Sequence, residues 1–166
     1  MLFLKWIKKN KIIVIAIVVI IIVSILYFLY DDSAYGHLKR ELKINAKSCD
    51  VIKSKDTHGG PHGDGQLFAV FDCSKDSDKI IEQIKEWYLL PIDDYYVKLV
   101  FDGIKTNDLY VKEMKEYNLL NLQNGYYYFK GINPYDWGDG FKGYYNKRLA
   151  IYDIDKNILY YYESDI

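Results

Sequence analysis

The sequence predicts an α+β domain, built on an antiparallel sheet with about two helices, that follows a single N-terminal transmembrane helix. Three observations predict it. Residues 12–30 carry no charge. The rest of the chain reads as strands, then helices, then strands, the order expected of an α+β domain with helices on one face of its sheet. Residues 147–165 read as a hairpin.

The uncharged run is "IIVIAIVVIIIVSILYFLY". Nineteen residues at about 1.5 Å each approach the roughly 30 Å of hydrocarbon in a bilayer. Only Ser24 breaks the apolar pattern, so the lipid bilayer is the partner expected of 12–30. Lys5, Lys8, Lys9 and Lys11 precede the run, and Asp31 and Asp32 follow it. By the positive-inside rule residues 1–11 are then a cytoplasmic basic segment. Residues 31–40 become a polar stalk, and 41–166 an extracytoplasmic α+β domain at the cell membrane. A cleaved signal peptide fits less well, because its apolar region would run to only about 7–15 residues and end in small ones.

All 23 acidic residues lie after position 30, with 18 basic ones, so residues 31–166 carry a net charge of −5. Nucleic acid is excluded as a partner, since phosphate neutralisation needs clustered Lys and Arg.

Within the domain, Leu42, Ile44 and Ala46 alternate with Lys43, Asn45 and Lys47, which predicts a half-buried strand over 41–55 with a bulge near Ser48. "QLFAVFDC" (66–73) predicts a second, more fully buried strand. "SDKIIEQIKEWYLLP" (77–91) predicts a helix capped by Ser77 and ended by Pro91. A weaker helix is expected over 107–118. "GYYYFKG" (125–131) predicts a strand, and residues 147–165 a hairpin turning at "DIDKN". That pentapeptide imitates a calcium loop, but Ile158 and Ser164 stand where glycine and glutamate would be needed. "NPYDWGDGFKG" (133–143), with Asp136, Asp139 and three aromatics, reads as an irregular surface connection. The 18 tyrosines fall mostly on predicted strands, where the ring packs and the hydroxyl reaches water.

Cys49 and Cys73 are the disulfide candidate. If 41–55 and 66–73 form a hairpin centred on Pro61, opposed residues have numbers summing to 122. The two cysteines then face one another across the ladder, within disulfide reach.

The connection between these strands, "DTHGGPHGDG" (56–65), is the candidate binding loop. Asp56, His58, His62 and Asp64 are suitable metal ligands, and either histidine beside an aspartate has the makings of a general base. The competing reading is a long hairpin loop in which glycines supply unusual backbone angles and Asp64 bonds local backbone. No H-E-x-x-H, G-x-S-x-G, P-loop or C-x-x-C motif appears. The residues supply no complete catalytic set and call for no cofactor.

The loop, the helix ending in "W" and "LLP", and "LAIYDIDKNILYYYESD" together resemble an uncharacterised family of small membrane-anchored proteins, chiefly of Gram-positive bacteria. That family shows an "HGGFHGDG"-like loop and an "AIYDxDxNxLYYxExD"-like ending. The similarity covers most of residues 50–166 and departs at Pro61, where the family pattern has an aromatic residue. It implies anchoring and an intact domain, and no activity. The functional expectation is a non-enzymatic module that binds a protein or ligand of the cell envelope. The alternatives are an anchored metal-dependent hydrolase using Asp56, His58, His62 and Asp64, and an immunity-type inhibitor.

Overall fold

A computed structural model of the chain describes residues 10–31, 33–59, 64–95, 97–98, 109–138 and 141–165. Its centre is a six-stranded sheet with every neighbouring pair antiparallel. The strands are β1 (Asp50–Asp56), β2 (Gly65–Asp72), β3 (Tyr88–Leu89), β4 (Gly125–Gly138), β5 (Phe141–Asp153) and β6 (Ile158–Asp165). They lie in the order β1-β2-β6-β5-β4-β3. The described helices are α1 (Lys11–Asp31), α2 (Ala34–Leu42), α3 (Ser77–Ile84) and α4 (Leu109–Glu116), with a 3-10 turn at Leu119–Asn121.

Most described side chains of α1 are exposed, Ile12 by 83% and Ile20 by 64%, while near its end Lys47 Nζ sits 4.6 Å from the centroid of the Tyr30 ring. Among the described residues no helix is long and apolar enough to cross a membrane. This corrects the expectation of a transmembrane helix over 12–30. The cytoplasmic N-terminus and the outward-facing domain followed from that span and fall with it. The finding assigns no other compartment.

The expected stalk is not a stalk. Residues 34–42 form α2, capped by Ser33, whose side chain accepts from Gly36 N, and ended by Lys43 in a left-handed conformation (φ 62°). Ala34, Gly36, His37 and Leu38 are buried. The strand expected over 41–55 shrinks to Asp50–Asp56, because α2 occupies its start and 43–49 are irregular. Ile44 and Ala46 are nevertheless buried: the alternation marked inward-facing residues, not a strand.

β2, β6 and residues 147–153 of β5 are buried on both faces, which corrects the expectation of helices on one face only. Phe68, Val70, Leu149, Ile151, Tyr160 and Tyr162 point to one side, where they pack with Met114 of α4 and Leu119. Leu67, Ala69, Phe71, Ala150, Tyr152, Leu159 and Tyr161 point to the other, where α2 supplies Leu38 and α3 supplies Ile80 and Ile84. Near-continuous apolar runs such as "LFAVF" have this physical cause: a strand covered on both faces needs no polar side.

Other elements differ from expectation in extent. α3 stops at Ile84, its cap is Asp76 rather than Ser77, and the predicted tail of that helix becomes β3, paired with Tyr126 and Tyr127. The expected helix 107–118 is described over Leu109–Glu116. The strand expected over 125–131 continues to Gly138, so the expected irregular connection is largely two paired strands: Tyr135 lies opposite Gly143 and Asp136 opposite Lys142. Asp139 lies outside the described residues. The C-terminal hairpin pairs Asp153 with Ile158 and Arg148 with Glu163, turning through Asn157 at φ 55°.

Candidate functional site

The β1–β2 hairpin sets up the site. Asp50 opposes Asp72 and Val51 opposes Phe71, but from Lys53 onward the pairing shifts by one, at a bulge. Below the bulge the sum of 122 holds, and Cys49 and Cys73 are joined by a disulfide with Cα atoms 4.3 Å apart. Above it the strands run into the glycine-histidine loop. Thr57 N donates to Gln66 O at 2.9 Å and Gly59 N to Asp64 O at 3.3 Å, so the loop is pinched at its base. Gly65 is required there, because a Cβ on it would fall on the backbone of Thr57 and His58.

His58 is fixed from two sides. Its backbone N donates to Asp56 Oδ1 at 2.8 Å, and its ring Nδ1 lies 2.6 Å from the same oxygen. Its Nε2 lies 3.5 Å from Asp165 Oδ2. That nitrogen is buried and has no hydrogen-bond partner among the described residues. The His58 ring also stacks on that of His37, with centroids 5.5 Å apart.

Asp165 and Glu163 come from the end of β6. Alternation places both on the face of Tyr161 and Leu159, where the apolar layer gives way to charge. Arg148, across the ladder on β5, ties them together. Its Nη1 and Nη2 donate to Asp165 Oδ1 and Oδ2 at 2.8 and 3.1 Å, and its Nη2 lies 3.0 Å from Glu163 Oε1. Tyr161 OH donates to Glu163 Oε2 at 2.6 Å, and His37 Nδ1, from α2, lies 2.9 Å from the same oxygen. Glu41 of α2 approaches Arg148 Nε at 3.4 Å. Glu163 is 1% and Arg148 5% exposed.

Burial alone would raise the Glu163 carboxyl pKa. The bonds from His37 and Tyr161 and the charge of Arg148 overcome it and hold the group down at about 2. Burial likewise works against the charge on Arg148, but Asp165 and Glu163 outweigh it and the guanidinium pKa rises. The Tyr161 phenol is pushed far up, chiefly by burial and then by Glu163. Glu163 and Arg148 are therefore held charged in a buried layer, with every Glu163 and Asp165 oxygen already engaged.

Of the expected loop quartet, the structure brings Asp56 and His58 together. Asp64 is exposed and stands apart from the cluster. His62 lies outside the described residues. Glu163, Asp165, Arg148 and His37 are the residues that sequence reasoning missed. Two signals pointed to some of them. "YYYESD" continues the inward alternation of Tyr161 into Glu163 and Asp165, and the hairpin register places Arg148 opposite Glu163.

No protein-family model, curated protein or solved structure matches the chain. The roles of these residues therefore rest on their geometry.

Proposed function

We propose that the chain is a non-enzymatic binding module whose recognition surface is the rim formed by the glycine-histidine loop. One observation carries the reading: the imidazole of His58 is turned inward. Its Nδ1 is on Asp56, its Nε2 faces Asp165, and the carboxylates of Asp165 and Glu163 beyond it are engaged by Arg148, Tyr161 and His37. A general base must reach a substrate proton, and Glu163, held at about 2, is a poor one. The groups that resemble catalytic machinery instead brace the base of the loop, leaving Gly59 and the exposed Asp64 on the outside. Loops braced on a rigid scaffold are where recognition residues concentrate. The partner is a protein or ligand; an immunity-type inhibitor is one form such a module takes.

The test is site-directed photocrosslinking in cells that express the full chain. A probe at Gly59 or Asp64 should give one discrete adduct, and a probe at Glu82, on α3, should not. A hydrolase is supported instead if the purified chain turns over ester, phosphoester, peptide or glycoside substrates and His58→Ala abolishes that turnover.

A further inference from the structure

The His58 corner gathers carboxylates. Glu41, Asp56, Glu163 and Asp165 converge on the network, and among the described residues the guanidiniums of Arg148 and Arg40 and the imidazoles of His37 and His58 face them. Glu163 and Arg148 are buried, where uncompensated charge is costly. The contact at 3.5 Å between His58 Nε2 and Asp165 Oδ2 sharpens the point. With Nδ1 on Asp56, the buried Nε2 of His58 points toward a carboxylate oxygen and has no hydrogen-bond partner among the described residues. A cation between the two would be a partner shared by both.

We propose that His58 Nε2, Asp165 Oδ2 and a carboxylate oxygen of Glu163 form a divalent-cation site of the zinc class, with Asp56 as the residue that orients the imidazole. The donor atoms of these three residues lie within 4.8 Å of one another. Zinc holds nitrogen and oxygen ligands at about 2.0–2.2 Å, which puts two tetrahedral ligands about 3.5 Å apart. The His58–Asp165 separation already has that value, and Glu163 needs to close by about an ångström. One imidazole and two carboxylates suit zinc, and a carboxylate on the far ring nitrogen is the usual outer support of a metal-bound histidine. The arginine fork does not use up the carboxylates, because each has about four lone-pair directions. A divalent ion would offset part of the charge of the four carboxylates gathered there. It would also fasten the loop after β1 to the end of β6. The site is independent of the recognition role: a module can bind its partner with or without a structural ion.

The full chain, stripped with EDTA and dialysed, is titrated with zinc chloride at pH 7.5 against a chromogenic chelator, and its metal content is measured by mass spectrometry. The expected result is one equivalent of zinc, with affinity falling at least about tenfold in His58→Ala and in Asp165→Asn. Cobalt(II) should give the visible bands of a tetrahedral site in the wild-type chain. No stoichiometric zinc uptake by the wild-type chain overturns the proposal. So does uptake that persists unchanged in both variants, which would place the ion elsewhere. Should either variant fail to fold, Asp56→Asn decides, because its carboxylate lies outside the arginine fork. About tenfold weaker binding supports the site and unchanged binding overturns it.

Discussion

The layer under α2 and α3 has two ends, and they are held by different physics. At one end Phe71, Tyr152, Ile80 and Ile84 pack beside the Cys49–Cys73 disulfide. At the other, the same strands deliver Arg148, Glu163 and Asp165 to His37 and His58. The apolar end gains from burial, which is non-directional and tolerates modest changes of shape. The charged end gains only if every partner is present, since removing one strands the others without water. The difference teaches that one continuous pair of strands can pass from a forgiving region to an exacting one within two or three residues, and that the loop is attached at the exacting end.

The largest effect should come from breaking the charged end at its hub. Arg148→Met takes the guanidinium from buried Glu163 and part-exposed Asp165 and should cost about 3–5 kcal/mol, read as a lower urea midpoint with an unchanged slope. A loss below about 1 kcal/mol would mean that water reaches the cluster and the two ends do not differ. Next comes the apolar end: Cys49→Ala with Cys73→Ala should cost about 3 kcal/mol in the chain-entropy picture, by the same measurement. The loop Nε2 environment should stay intact in that variant, visible as unchanged His58 chemical shifts.

The smallest effect separates the ends by pH. The Glu163 carboxyl sits at about 2 against an ordinary value of 4.5. A depressed carboxyl contributes its full stability above about 4.5 and loses it as pH falls toward 2. The amount is on the order of 2 kcal/mol, because Glu163 shares its partners. Glu163→Gln should flatten this part of the acid limb of stability against pH, whereas removal of the disulfide should shift the whole curve and keep its shape. A parallel acid limb in Glu163→Gln would show that another group titrates there.

Local sequence determined what is local. The turn at "DIDKN" and the alternation on either side specified the β5–β6 hairpin. The summed numbering of the β1–β2 hairpin placed the cysteines opposite each other. The first works because adjacent antiparallel strands share one turn, and the turn sets the register; the second holds because the bulge between Val51 and Lys53 brings a loop-side sum of 123 back to 122. The extents of α2 and β1 were misread for a physical reason too. Ile44 and Ala46 are buried by α2 and α3 from above, and burial leaves the same apolar mark on an irregular segment as on a strand.

The site lay mostly beyond this local logic. "DTHGGPHGDG" announced itself by composition, and Asp56 and His58 do meet, because two residues of one tight turn have nowhere else to go. Asp64 faces solvent. His37 reaches Glu163 across 126 residues of sequence, and nothing near either residue encodes that contact. The sequence by itself determined the strand pairs, the covalent link and the place where a loop would project. Only the tertiary structure decided that a helix read as a stalk would lay a histidine on the end of β6, and that a terminal "ESD" would be buried against an arginine. Periodicity says which way a side chain points, and only the packing of distant elements says what it meets there.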